Sequence, residues 1–137
     1  MAEQAKSKAE HYTYAIGKRK SATAKIRLTN GKGDITVNGV PAAEYFADSP
    51  SFISSILAPF NAIEDNKYNV SAVVDGGGHS GQIDAIKKGI AKALVIKNES
   101  LKDTLRKADL LGRDPRQRER KKFGLKGARK QRQFTKR

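Results

Sequence analysis

Gly76-Gly77-Gly78-His79-Ser80-Gly81 satisfies the G-x-G-x-x-G spacing of a dinucleotide-binding turn, and it lies between a strand-like run and a helical one. In such a site the backbone approaches a pyrophosphate, and an acidic residue ending the next strand takes the ribose hydroxyls. Glu99 stands at the required separation of about 20 residues, but it follows one helical pattern and precedes another, so no strand holds it. The phosphate loop of nucleoside triphosphatases is excluded as well, because Gln82 occupies the position that must be Lys. The glycines keep their physical meaning. They permit a sharp reversal and the close approach of another backbone, or of a phosphate attracted to the N–H groups that open the following helix. Gly76, Gly77, Gly78 and Gly81 are read as a structural turn that could also seat an RNA phosphate.

Other catalytic groupings are weaker. His79, Ser80 and Asp84 supply the residue types of a hydrolase triad, yet neighbours on one turn seldom reach triad geometry. His11 and His79 lack companion ligands at metal spacing, and Asp34, Glu64 and Asp65 sit among loop-forming residues. The chain has no cysteine, which removes disulfides, thiolate metal sites and cysteine nucleophiles and allows a reducing compartment. No enzyme, metal or cofactor is expected.

Phosphate chemistry is far better supplied. Twelve of the 28 Lys and Arg residues fall in the last 26 positions, Gly112 to Arg137, against only Asp114 and Glu119, a net +10 out of +14 for the chain. The preceding 111 residues carry 16 basic and 12 acidic groups, a net +4. Such a segment cannot bury itself, and each phosphate it neutralises releases condensed counterions. Arg outnumbers Lys in it, which suits planar, bidentate phosphate contacts, while Phe123 and Phe134 can stack on unpaired bases. An interfacial membrane helix would need an apolar face, and Phe123, Leu125 and Phe134 are too few and too scattered. A merely solubilising tail is the plain alternative. A second cluster, Gly17-Lys18-Arg19-Lys20-Ser21, interrupts a strand pattern and is read as a bulge or loop facing an anion in preference to a charged edge strand.

The elements that must position these groups follow from periodicity. Tyr12, Tyr14 and Ile16 share one parity, resumed by Ala22, Ala24, Ile26 and Leu28, which predicts half-buried strands with those residues inward. Asn30 to Gly33 supply a reversal, and Ile35 and Val37 begin a returning strand, giving an antiparallel pair before Asn38-Gly39. Ser49-Pro50 opens a helix carrying Phe52, Ile53, Ile56, Leu57 and Phe60, limited by Pro59. Tyr68, Val70, Ala72 and Val74 make a strand ending at Gly76. From about Gly81, the stripe Ile83, Ile86, Ile90 and Leu94 predicts a long helix with Lys87, Lys88 and Lys92 largely off it. Ser100 with Asp103 resembles a capping pair for a last short helix through Leu105, stopped near Gly112. The expected fold is α+β, a two-layer sandwich. Met1 to His11 is polar, no run is long enough to span a bilayer, and the protein is expected to be soluble and cytoplasmic.

These residues also carry a resemblance. Gly76 to Gln82, followed by Ala85, Gly89, Ala91, Lys92, Ala93 and Leu94, resembles the signature of the bacterial-type ninth protein of the small ribosomal subunit. Gly17 to Lys20, Val37-Asn38-Gly39, Glu44-Tyr45-Phe46, Arg113-Asp114, Glu119 to Gly124 and the terminal Phe134-Thr135-Lys136-Arg137 extend it, leaving only the first 11 residues unmatched. The resemblance implies a mostly antiparallel four-stranded sheet with helices on one face and a left-handed βαβ crossover. It divides the chain into an extension (1–11), a globular domain (12–111) and an extended RNA-binding tail (112–137). It implies a structural constituent of the small subunit, acting in translation beside neighbouring proteins of the subunit head. Ribosomal RNA contacts fall to Lys18, Arg19, Lys20, Arg113, Arg116, Arg118, Arg120, Lys121, Lys122, Lys126, Arg129, Lys130 and Arg132, and contact with the peptidyl-site transfer RNA anticodon loop to Lys136 and Arg137. Where the family often has Tyr, Phe123 keeps stacking but loses a hydroxyl. At about 3.3 Å per extended residue the tail can reach on the order of 85 Å. A basic DNA-compacting protein is the rival class, separable by its binding to duplex DNA at matched salt; a small-molecule kinase would instead show saturable nucleotide binding.

Overall fold

The computed structural model describes residues 11–47, 50–112, 115–117 and 119–131. Its elements are β1 (Thr13–Arg19), β2 (Ala22–Asn30), β3 (Ile35–Val37), β4 (Val40–Pro41), α1 (Ala42–Tyr45), α2 (Pro50–Ile56), α3 (Ala58–Ile63), β5 (Tyr68–Asp75), α4 (His79–Lys97), a 3-10 turn (Glu99–Leu101) and α5 (Lys102–Lys107). The strands form one sheet in the order β1-β2-β5-β3-β4. One face is covered, chiefly by α4, whose Ile83, Ile86, Ile90 and Leu94 meet Ala24, Ile26, Leu28, Val70, Ala72 and Val74 in the core. Phe46, Ile56, Phe60 and Leu105 are buried in the same core.

The sheet has five strands where four were expected, and it is mixed. β5 enters between β2 and β3, so the predicted pairing of Ile35–Val37 with the preceding strand does not form. β3 lies parallel to β5 instead, Val37 opposite Ala72, while β1–β2, β2–β5 and β3–β4 are antiparallel. β5 is the better partner for β2 because it offers eight residues, Tyr68 to Asp75, with Val70, Ala72 and Val74 already on the covered face. Asn38 and Gly39, at φ 52° and 80°, turn the chain into the short β4, matching the left-handed preference of an Asn-Gly hairpin. The Asn38 side chain extends the ladder, accepting from Val74 N–H at 2.9 Å and donating to Val74 O at 3.3 Å.

The Gly17 to Ser21 cluster is no bulge or wide loop. Lys18 and Arg19 remain in β1, opposite Thr23 and Ala22, and Lys20-Ser21 alone make the turn, Lys20 taking φ 54°. Residues directly opposed across a ladder share a face, so this two-residue turn sets odd positions of β1 beside even positions of β2. The parity expected for β1 is thereby reversed. Ala15 and Gly17 face inward with Ala24 and Ile26, while Tyr14 and Ile16 face solvent. The physical reason is the closeness of α4. A Cβ on Gly17 would lie 1.9 Å from Ala85 O and 2.5 Å from Gly89 N, and one on Gly89 would lie 2.5 Å from Ile26 Cγ1.

Two further local expectations change. The segment after Pro50 is two short helices joined at Leu57, with Pro59 in the first turn of α3, where a missing N–H costs nothing; Ser49 lies outside the described residues. Ser100 does not cap α5. Asn98 caps the preceding 3-10 turn, its Oδ1 accepting from Ser100 N–H at 3.1 Å, and α5 ends at Lys107, ahead of Gly112.

The β1–α4 contact generates an ordering of mutational costs. Gly17→Ala forces a Cβ into main-chain atoms, and overpacking of that kind costs about 3 kcal/mol. Gly89→Ala meets Ile26 Cγ1 at 2.5 Å and the Gly17 nitrogen at 3.2 Å, a milder main-chain clash than at Gly17, and regains about 1 kcal/mol of helix propensity. Thermal or denaturant unfolding should therefore rank Gly17→Ala clearly below Gly89→Ala, and the reverse order would contradict this account of the contact.

Candidate nucleic-acid interface

The turn joining β1 to β2 presents Lys18 and Lys20 to solvent, but Arg19 points elsewhere. Its side chain is only 12% exposed, with Nε 3.6 Å from Asp84 Oδ2 on α4, and its Nη1 donates to Arg116 O at 3.3 Å. Asp84 is shared with Lys87, 3.7 Å away. Arg19 thus ties the hairpin, the first turns of α4 and the start of the basic segment together. Nearby, Lys88 Nζ donates to Gly112 O and Lys92 Nζ to Ile16 O at 3.3 Å. Lys18, Lys88, Lys92, Ile16 and Gly112 line an open cavity of about 290 Å³.

The glycine-rich turn sits against the same hairpin. Gly76 and Gly77 adopt φ 73° and 66°, and a Cβ on Gly76 would lie 2.5 Å from Ser21 O. Such conformations and such closeness require residues without side chains. Gln82 is buried beside the turn, donating through Nε2 to Gly76 O at 3.1 Å and accepting from the Tyr45 hydroxyl at 3.0 Å. The residue that rules out a nucleotide lysine therefore binds the turn to α1. Gly78 caps α4 without a side-chain hydrogen bond, and Gly81 packs near Arg19 O and Ala22. His79 lies edge-on to Phe46, ring centroids 5.4 Å apart, and Asp84 faces Arg19 and Lys87, so the residues of a nominal triad are directed to different partners. Among the described residues no group of His, Asp or Glu could hold a metal ion, and no helix is long and apolar enough to cross a membrane.

Beyond Gly112 the described residues form turns, bends and irregular chain, with neither helix nor strand. Lys122 and Arg129 both meet Glu119, the only acidic group of this stretch. Arg120, Lys121, Lys126 and Lys130 make no ion pair among the described residues. Phe123 is wholly exposed, its ring in solvent. Arg113, Arg118, Arg132, Lys136 and Arg137 lie outside the described residues.

Two groups escaped the sequence reading. Lys88 and Lys92 are expected from the sequence only to lie largely off the apolar stripe of α4; the signal available is their like-charged i, i+4 spacing, which disfavours an isolated helix. The open face of the sheet was missed because the parity of β1 was inverted. It carries Tyr14 and Ile16 beside Lys25, Arg27 and Val73, and Arg27 Cζ stands 5.1 Å from the Tyr12 ring centroid, a cation–π distance.

Comparison with known proteins agrees with the motif resemblance. The model of the family described as ribosomal protein S9/S16 matches residues 17–137. The small ribosomal subunit protein uS9 of Cytophaga hutchinsonii is 48% identical over 124 residues, covering 90% of this chain and 96% of the relative. That of Prochlorococcus marinus is 42% identical, over 90% and 93%, and the small ribosomal subunit protein uS9c of Pyropia yezoensis is 43% identical, over 88% and 89%. A family match running from the β1 glycine to the last residue, with relatives aligned over nearly their whole length, leaves one conclusion: this chain belongs to the ribosomal protein S9/S16 family.

Proposed function

We propose that this protein is a structural constituent of the small ribosomal subunit and acts in translation in the cytoplasm, as a component of the ribosome and not as an enzyme. Its body, residues 12–111, docks on ribosomal RNA beside neighbouring proteins of the subunit head, and its arm, residues 112–137, runs along RNA toward the decoding region. Residues 1–11 are a separate extension. The observation that carries this reading is the arm's unbalanced charge, +10 from twelve basic and two acidic residues, together with four described cations that have no ion pair. Only an external polyanion can neutralise them, and RNA does so with release of counterions. The exposed Phe123 ring favours RNA further, since unpaired bases stack on such rings.

Within this reading Lys18, Lys20, Arg116, Arg120, Lys121, Lys122, Lys126, Arg129 and Lys130, with Arg113, Arg118 and Arg132, contact ribosomal RNA. Arg19 contributes by holding the arm's first residues. Lys136 and Arg137 meet the anticodon loop of the peptidyl-site transfer RNA. The connection from β3 through α1, α2 and α3 to the parallel β5 takes the left-handed sense implied by the resemblance, against the usual rule.

Two experiments separate the arm's roles. A chain truncated after Gly112 should co-sediment poorly with small subunits in cells, and normal incorporation of that body would refute the arm's role in assembly. Deleting Arg137 alone should leave incorporation unchanged while speeding peptidyl-site transfer RNA dissociation about two- to fivefold, the scale of one exposed ion pair. An unaltered dissociation rate would exclude the terminus from that contact.

A further inference from the structure

Lys18, Lys88 and Lys92 converge on one cavity from two elements, Lys18 from β1 and the two others from successive turns of α4, with Gly112 forming a wall. Two of the three ammonium groups are anchored by backbone carbonyls, Lys88 on Gly112 O and Lys92 on Ile16 O at 3.3 Å. An ammonium has three donors, so each anchor fixes the position of a head group while leaving two N–H bonds for another acceptor. A carbonyl supplies no counter-charge. The acidic residue one turn before Lys88 is Asp84, and its carboxylate is engaged by Arg19 and Lys87. Lys18, Lys88 and Lys92 form no salt bridge among the described residues. Like charges at i, i+4 destabilise a helix unless something outside balances them, and a cavity of about 290 Å³ has room for a tetrahedral anion.

We propose that this cavity is a phosphate-binding site that receives one backbone phosphodiester of ribosomal RNA at the point where the arm leaves the body. The inference rests on the RNA-binding reading above and adds a specific seat to it. Because Gly112 O is held by Lys88, one of the cations facing the phosphate, the same group that grips the RNA also sets the direction in which the arm departs. Phosphate contact and arm placement are therefore coupled at this site.

The test uses the full chain and a transcript of the small-subunit ribosomal RNA, with affinity measured across a salt series. Lys88→Gln/Lys92→Gln is compared with Lys102→Gln/Lys107→Gln, which removes the same charge from exposed positions of α5. Each phosphate contact contributes about 0.7 to 0.9 to the slope of log K against log salt. The cavity variant should lose about tenfold in affinity, with its slope reduced by about one contact, and the α5 variant should stay within about twofold. Lys88→Arg/Lys92→Arg, which keeps the charge, should bind within about threefold of the native chain. Equal losses for the cavity and α5 variants would overturn the proposal, leaving net charge as the cause. A loss in the Arg pair as large as in the Gln pair would also overturn it, because the lysines would then act through packing. If the native chain binds this transcript no better than an unrelated RNA of equal length, the broader RNA-docking reading fails instead.

Discussion

Two backbones touching with no side chain between them, at Gly17 in β1 and Gly89 in α4, set the geometry on which the other features depend. A helix usually stands off a sheet by the thickness of its side chains; here main-chain atoms of Ala85 and Gly89 occupy the space where a Cβ on Gly17 would go. That closeness draws Arg19 to Asp84, brings Lys92 to the Ile16 carbonyl, and turns Lys88 toward Gly112. It also dictates which residues of β1 can face inward. Only Ala15 and Gly17 are small enough, so the larger Tyr14 and Ile16 are displaced to the open side of the sheet.

The distribution of charge follows a different logic from the packing. Within the body Asp84 binds both Arg19 and Lys87, while Lys88 and Lys92 are directed onto carbonyl oxygens. Carbonyls position a cation without neutralising it. Among the described residues of the arm, Glu119 serves two cations at once. The body is held together by burial of apolar groups, and none of the described residues beyond Gly112 belongs to that core.

Much of this was legible in the residues themselves. The α4 stripe, the β5 alternation and the tight turn at Asn38-Gly39 all express strong local periodicity or turn chemistry, and the structure contains them. The motif of glycines with Gln82 also carried the family. What could not be read was tertiary. Nothing in Ile35–Val37 says that a strand thirty residues later will separate it from β2, and strand order is decided by which partner buries more apolar surface. The inverted face of β1 had a local cause, a turn only two residues long, but the basic residues around it suggested a wider loop. The cavity lysines were invisible for a related reason: helical spacing places them on the less apolar side of α4, and only the approach of β1 gathers them with Lys18.

Both margins of the sheet carry features that hinder its growth. β1 lies at one margin, where the carbonyl of Ile16 is already occupied by Lys92 and Lys18 and Lys20 repel any incoming strand of like charge. β4 lies at the other, two residues long and ending in Pro41, which has no N–H to offer. Unpaired strand margins are the usual route by which copies of a chain add to one another. Blunted in this way, the sheet offers a second copy of the chain little free margin to extend.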